Sequence, residues 1–238
     1  MSLEQIKVEL QEWMGSDRSI ANAAWTSSYN KDKRDTKTDD DVQRIVKQLA
    51  ESGHGTPFES VVFRFWIRMP VFTDRQHMTH RIASHNGLSG RYRTMPDDWY
   101  GLPDDVTRIL WLSMSEYFGY PESAGYIVDG YKEHCKAAYD YYNRILGYLK
   151  KAEAKKLITN TEFKRVRECL RGVLPVAGMI ERTTMMNLRS FANYQKQRNS
   201  SHAQTEIKKV AELMLEAVKK ENVCPIAIET LEKQGWRI

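Results

Sequence analysis

The chain has 238 residues and a mass of 27.7 kDa, which sets an expectation of one or two domains. Hydrophobic residues make up 41% and charged residues 28%, values that exclude a disordered or membrane-embedded chain. With 36 Lys+Arg against 31 Asp+Glu the net charge is +5 and the pI about 9.0, a mild surplus that favours anionic partners without singling out nucleic acid. No run of about 18 apolar residues predicts a transmembrane helix. The acid-bearing N-terminus does not read as a signal peptide. Cys135, Cys169 and Cys224 lie far apart and form no CxxC or Cys/His cluster, so neither a metal site nor a disulfide framework is expected, and the compartment expected is a reducing cytoplasm.

Ile6, Val8 and Leu10 alternate with polar residues and predict a short strand, although Leu3, Ile6, Leu10 and Trp13 also fit one helix face. A helix is predicted over about 17–27, followed by a charge-rich solvated loop over 31–41. Val42, Ile45, Val46 and Leu49 repeat at helical spacing, with Thr38 as N-cap, Asp39–Asp41 at the positive helix end and Gly53 at the C-terminal cap. Thr56-Pro57-Phe58-Glu59 reads as a capping box that opens a helix. Val61–Met69 alternates strictly and predicts a strand ended by Pro70. Then come a helix over 72–82, a loop over 84–92, and helices over about 105–118, 123–151 and 161–171. A strand over 177–186 and helices over 188–198 and 202–221 complete the pattern. No linker or repeat divides the chain, so a single α+β domain over residues 1–238 is expected.

The chemistry concentrates in Gln76–Tyr92, QHMTHRIASHNGLSGRY. His77, His80, Arg81, His85, Ser89 and Arg91 fall in one short span with two glycines. A helix running into a glycine-containing loop with hydroxyl and arginine side chains suits a phosphate group: guanidinium forks and loop amides both donate to its oxygens. By itself the stretch reads more simply as a solvated helix end with a polar turn.

His80-Arg81, seven residues and then Ser89 resemble the signature of the flavin-dependent thymidylate synthases. Four further segments resemble that family in order and rough spacing: His54–Glu59, Arg171–Pro175, Asn187–Asn193 and Arg198–Gln204. The resemblance implies a small, mostly antiparallel sheet flanked by helices, and a homotetramer with FAD at the subunit interfaces. It implies the reductive methylation of dUMP at C5 to dTMP, with methylenetetrahydrofolate as carbon donor and NADPH as reductant, and no nucleic-acid or membrane partner. Residue by residue, it implies flavin or folate contacts at Ser27, His54, Thr56, Glu59, Thr79, His80, Arg81, Asn187, Arg189, Asn193 and His202. It implies nucleotide contacts at Gln76, Gly87, Leu88, Ser89, Gly90, Arg91, Arg171 and Arg198, with Arg198 as the catalytic residue beside the pyrimidine. A guanidinium there stabilises the uracil anion and leaves C5 nucleophilic without an enzyme thiolate. Cys169 then reads as a core residue, His134 as a surface histidine, and Lys150, Lys151, Lys155 and Lys156 as a solvated face.

Two residues depart from the family pattern. Thr79 stands where the signature begins with arginine, and Arg75, one helical turn earlier, is placed to compensate. Gly87 stands where relatives carry glutamate or glutamine. Gly87 keeps open a relative that methylates UMP or dCMP and Thr79 a flavin-binding but inactive homologue, while the basic balance and the aromatics keep open a non-catalytic nucleic-acid-binding protein. His77 and His85 are extra histidines near the site that read equally well as polar surface.

Overall fold

A computed structural model describes residues 2–119 and 123–238; Met1 and residues 120–122 lie outside it. The described residues form an α+β structure with one four-stranded sheet in the order β1-β2-β4-β3. Its strands are β1 (Lys7–Met14), β2 (Val62–Pro70), β3 (Ser84–Gly87) and β4 (Met179–Asn187). β1 pairs antiparallel with β2, Val8 facing Ile67 and Trp13 facing Phe63, with a bulge between Leu10 and Glu12. The strand reading of the N-terminus therefore holds, and the helical reading does not. β2 shows the expected period of two: Phe63, Phe65, Ile67 and Met69 are fully buried, while Arg64, Trp66 and Arg68 are half-buried.

The chain divides into two compact units, where one domain was expected from the absence of a linker. The first comprises Met1–Gln5, Met69–Phe72 and Gly87–Ile180. It contains α5 (Asp104–Phe118), α6 (Ser123–Ala154) and α7 (Asn160–Leu170), with Tyr142, Leu146 and Phe163 at its core. Thr159 and Glu162 form a capping box that starts α7.

The second unit comprises Ile6–Arg68, Thr73–Asn86 and Glu181–Ile238. It carries most of the sheet, with α1 (Asp17–Trp25), α2 (Lys31–Asp35), α3 (Asp39–Glu51), α8 (Leu188–Arg198), α9 (Thr205–Lys220) and α10 (Pro225–Lys233). α9 lies on β1, and α10 and α1 both lie on α3. Phe191 of α8 meets Phe63 at 5.2 Å and Trp236 at 5.9 Å, ring centre to ring centre, which anchors that helix in the core.

Several local expectations are corrected. The loop over 31–41 contains a helical turn, α2, because Asn30 accepts the Lys33 N–H as an N-cap. Thr56–Ser60 is a 3-10 turn without a side-chain cap, not the capped start of a longer helix. α4 (Val71–His77) is shorter than the helix expected over 72–82, and the expected loop at 84 is strand β3. α10 was not anticipated. Its first amides, from Ile226 and Ala227, donate to the buried carboxylate of Asp17 at 3.1 and 2.9 Å. Burial pushes the Asp17 pKa up, and those two amides oppose the shift.

Candidate functional site

α8 presents Arg189, Asn193 and Gln197 at successive i, i+4 positions, so they share one face. With Ser190 they meet Thr79, His80 and Arg81, just past α4, around a cavity of about 530 Å³. The opposite face of α8, with Leu188, Phe191, Ala192 and Tyr194, is buried, and this fixes the rotation of the helix. Asn187 caps α8 by accepting the Ser190 N–H at 2.8 Å. Ser190 Oγ is itself buried without a hydrogen-bond partner among the described residues. Arg189 donates to Glu59 at 2.7 Å. The Arg189 side chain also runs over Gly55, where a Cβ would come within 2.8 Å of Nε, so a larger residue there would push the guanidinium aside.

Arg198 ends α8, one turn beyond Tyr194. Its Nε donates to His80 Nε2 at 3.0 Å, and its Nη2 donates to Thr79 Oγ1 at 3.1 Å and to the Gln76 carbonyl at 3.4 Å. Among the described residues no carboxylate pairs with it. Burial first, and the Arg198 charge second, push the His80 pKa down to about 4, so the ring is neutral at physiological pH and accepts through Nε2. The Gln76 side chain donates to Gln204.

Behind this edge lies a buried polar chain. His77 Nδ1 is 2.9 Å from Tyr194 Oη, His77 Nε2 is 2.8 Å from Thr184 Oγ1, and His85 Nδ1 is 3.1 Å from the same Thr184 oxygen. His77 is fully buried, not a surface histidine; burial, reinforced by His85 and Arg182, holds its pKa well below the usual value. Arg182 on β4 clasps Asp74 on α4 with two hydrogen bonds of 2.5 and 2.6 Å, both side chains being nearly buried.

A second cluster belongs to the other unit. Arg91 Nε donates to Glu168 at 2.7 Å, Arg171 Nε donates to the Glu168 carbonyl at 3.1 Å, and Arg167 donates to the Arg91 carbonyl. The bond to Glu168 raises the Arg91 pKa and lowers that of the carboxyl. Gly90 admits the Arg171 side chain, whose Cδ would stand 3.0 Å from any Cβ there. Ser89 accepts the Arg91 N–H at 3.3 Å, so Ser89, Gly90, Arg91 and Arg171 form one local basic surface.

The expected site residues thus fall into two groups. Gln76, Thr79, His80, Arg81, Arg189, Asn193 and Arg198 come together in one unit, and Ser89, Gly90, Arg91 and Arg171 in the other. Gly87 and Leu88 lie at the end of β3 and just past it. Ser27, His54, Thr56 and His202 are exposed, and the Ser27 hydroxyl donates to the Ala24 carbonyl. Arg75 is exposed on α4 and Thr79 lies beyond that helix, so the i, i+4 compensation expected of Arg75 has no helix to support it. Cys169 is exposed rather than part of the core. His134 and the four lysines are at the surface as expected. Sequence reasoning missed Tyr194, Thr184, Ser190 and Glu168. Tyr194 and Glu168 stood four and three residues before recognised arginines, a spacing that could have pointed to them.

Residues 9–226 match the sequence model of the thymidylate synthase complementing proteins, Thy1. The chain belongs to the flavin-dependent thymidylate synthase family. It is 32% identical to the flavin-dependent thymidylate synthase of Kosmotoga olearia over 232 residues, covering 95% of this chain and 90% of the relative. It is also 32% identical to that of Pseudothermotoga lettingae over 226 residues, covering 94% and 88%. Among solved structures it resembles the UMP/dUMP methylase PolB from Streptomyces cacaoi bound with 5-Br dUMP. The TM-score is 0.75 and the identity 26%, over 97% of this chain and 96% of that one. Membership makes the chain an enzyme of the methyltransferase class whose family works with FAD, NADPH and methylenetetrahydrofolate, so the reading as a non-catalytic nucleic-acid binder falls away. No described helix is long and apolar enough to cross a membrane.

Proposed function

We propose that this chain is a thymidylate synthase that methylates dUMP at C5 to dTMP, taking the carbon from methylenetetrahydrofolate and the reducing equivalents from NADPH through FAD. The observation that carries this reading is Arg198: a guanidinium held by His80 and Thr79, which line the α8 cavity, and by the Gln76 carbonyl, all neutral partners, with Nη1 making no hydrogen bond among the described residues. A fixed cation of this kind stabilises a uracil ring that has lost its N3 proton, and the charge so released raises the nucleophilicity of C5.

The cavity residues fit a flavin dinucleotide. Ser190 Oγ is a buried polar atom in need of a partner, and Arg81 and Arg189 offer cations for a diphosphate. Thr79, His80 and Asn193 line the same cavity and would hold the cofactor with them. Ser27, His54, Thr56, Glu59, Asn187 and His202 are the remaining candidates for flavin and folate contacts. When bound, the flavin supplies the redox step; the side chains bind, orient and exclude water. Arg91 and Arg171 would take the nucleotide phosphate, with Gln76, Gly87, Leu88, Ser89 and Gly90 as further nucleotide contacts. We further propose that the two compact units act as one family domain, working in the cytoplasm as a homotetramer that carries FAD at its subunit interfaces.

A second reading is supported by one specific pair of observations. Gly87 offers no side chain where the family carries glutamate or glutamine, and PolB, which the chain resembles, is a UMP/dUMP methylase. On that reading UMP is also accepted. The test of both is methyl transfer by flavin-loaded protein supplied with NADPH, methylenetetrahydrofolate and either dUMP, UMP or dCMP. Turnover of dUMP supports the first reading, and turnover of UMP at a comparable rate supports the second. A yellow protein inactive on all three nucleotides overturns both.

A further inference from the structure

We propose that Thr79 is a positioning residue for Arg198: its hydroxyl fixes the Nε/Nη2 edge of the guanidinium and leaves Nη1 for the ligand. This rests on the reading of Arg198 as the residue that faces the pyrimidine.

The direction of the hydrogen bonds follows from the inventory of donors. Thr79 Oγ1 lies 2.7 Å from the Gln76 carbonyl, an acceptor only, so the single hydroxyl proton is committed there. Its lone pairs then face Arg198 Nη2 at 3.1 Å, and Arg198 has nothing but donors to offer. His80 Nε2 takes the Nε proton at 3.0 Å, which assigns the ring proton to Nδ1. One edge of the fork is thus satisfied by two neutral acceptors and a carbonyl, in a fixed plane and with no neutralising carboxylate.

The family's arginine at position 79 has no acceptor and carries a like charge, so it cannot make this contact. The exchange to threonine removes a cation from the cavity and supplies an acceptor to Arg198. That is the opposite of a simple loss of function at the cofactor site. It predicts that the ligand group met by Nη1 is an anion or a developing anion, because the guanidinium reaches it with its charge unshared.

The test compares Thr79→Val and Thr79→Ser in the flavin-loaded chain. Valine keeps the shape and loses the acceptor, so kcat is expected to fall on the order of tenfold with the nucleotide KM much less changed. Serine keeps the hydroxyl and is expected to recover most of that loss. A second measurement does not depend on turnover. The Arg198 charge helps to hold the His80 pKa down, so an NMR titration should show that pKa rising in Thr79→Val and staying low in Thr79→Ser. Equal kcat and an equal His80 pKa in the valine and serine variants would overturn the positioning role. An unmodified protein that methylates no nucleotide would overturn the functional reading instead, while the His80 titration would still decide the contact.

Discussion

Arg198 donates its Nε–H to Nε2 of His80 across 3.0 Å, so an arginine is held by an imidazole that must stay neutral to accept it. The two residues stand 118 positions apart in the chain, one at the end of α8 and the other past the end of α4.

Arg198→Ala is expected to fold and bind flavin while turnover falls by about 10²-fold or more, the scale of losing one preorganised electrostatic donor. Arg198→Lys should restore little, because an ammonium cannot span His80, Thr79 and a ligand in one plane. Steady-state kinetics beside the flavin absorption band check both, and near-normal turnover in Arg198→Ala would refute the assigned role.

Stability should decline as the solution is acidified from about pH 6.5 towards pH 4. An unfolded histidine takes up its proton near pH 6.5, while folded His80 holds out to about 4, and His77 and His85 are also held down. Over that window the unfolded state binds more protons, so the contribution is complete above pH 6.5 and is lost as pH falls through the folded values. Urea midpoints at pH 8 and pH 5 measure it, and His77→Gln should shrink the difference.

Asp74→Ala should cost about 3–5 kcal/mol, since it strands the Arg182 guanidinium in a nearly buried position. Replacing both partners at once, Asp74→Leu with Arg182→Met, should recover much of that. Denaturant unfolding of the single and double variants forms the cycle. A double variant no better than the single one would show that the pair itself, and not the orphaned charge, sets the cost.

Asp17→Ala should cost about 1–3 kcal/mol, because two α10 amides lose their acceptor. Hydrogen exchange should localise the effect: Ile226 and Ala227 should speed up most. Uniform acceleration across the whole chain would count against a local clamp.

Arg91→Ala should weaken nucleotide binding by about tenfold to a hundredfold through lost charge-assisted bonds. Inorganic phosphate should lose affinity in parallel, measured by calorimetry. A nucleotide affinity that stays unchanged would remove Arg91 from the phosphate clamp.

Much of the fold was legible in the amino-acid sequence wherever a local pattern repeats. The alternation of β2 and the helical spacing of α3 and α8 depend only on which side chains must leave water, and they were read almost to the residue. The site was legible as a set of residue types in Gln76–Tyr92 and Leu188–Arg198, and their resemblance to a known family supplied the chemistry. Other features depend on partners far away in the chain. α4 stops at His77 and β3 begins at Ser84, and in the segment between them Thr79 and His80 meet Arg198. The burial of His77 arises from Tyr194 and Thr184, more than 100 residues on, so no local pattern announces it. Likewise α10 needs the carboxylate of Asp17, over 200 residues earlier, to satisfy its first amides. Hydrophobic periodicity therefore determined most of the elements, and the resemblance of the motifs to a known family supplied the chemistry. The tertiary structure alone decided which polar groups are paired, which are buried neutral, and that Thr79 serves Arg198 as an acceptor, because hydrogen bonds between distant segments exist only once the chain has folded.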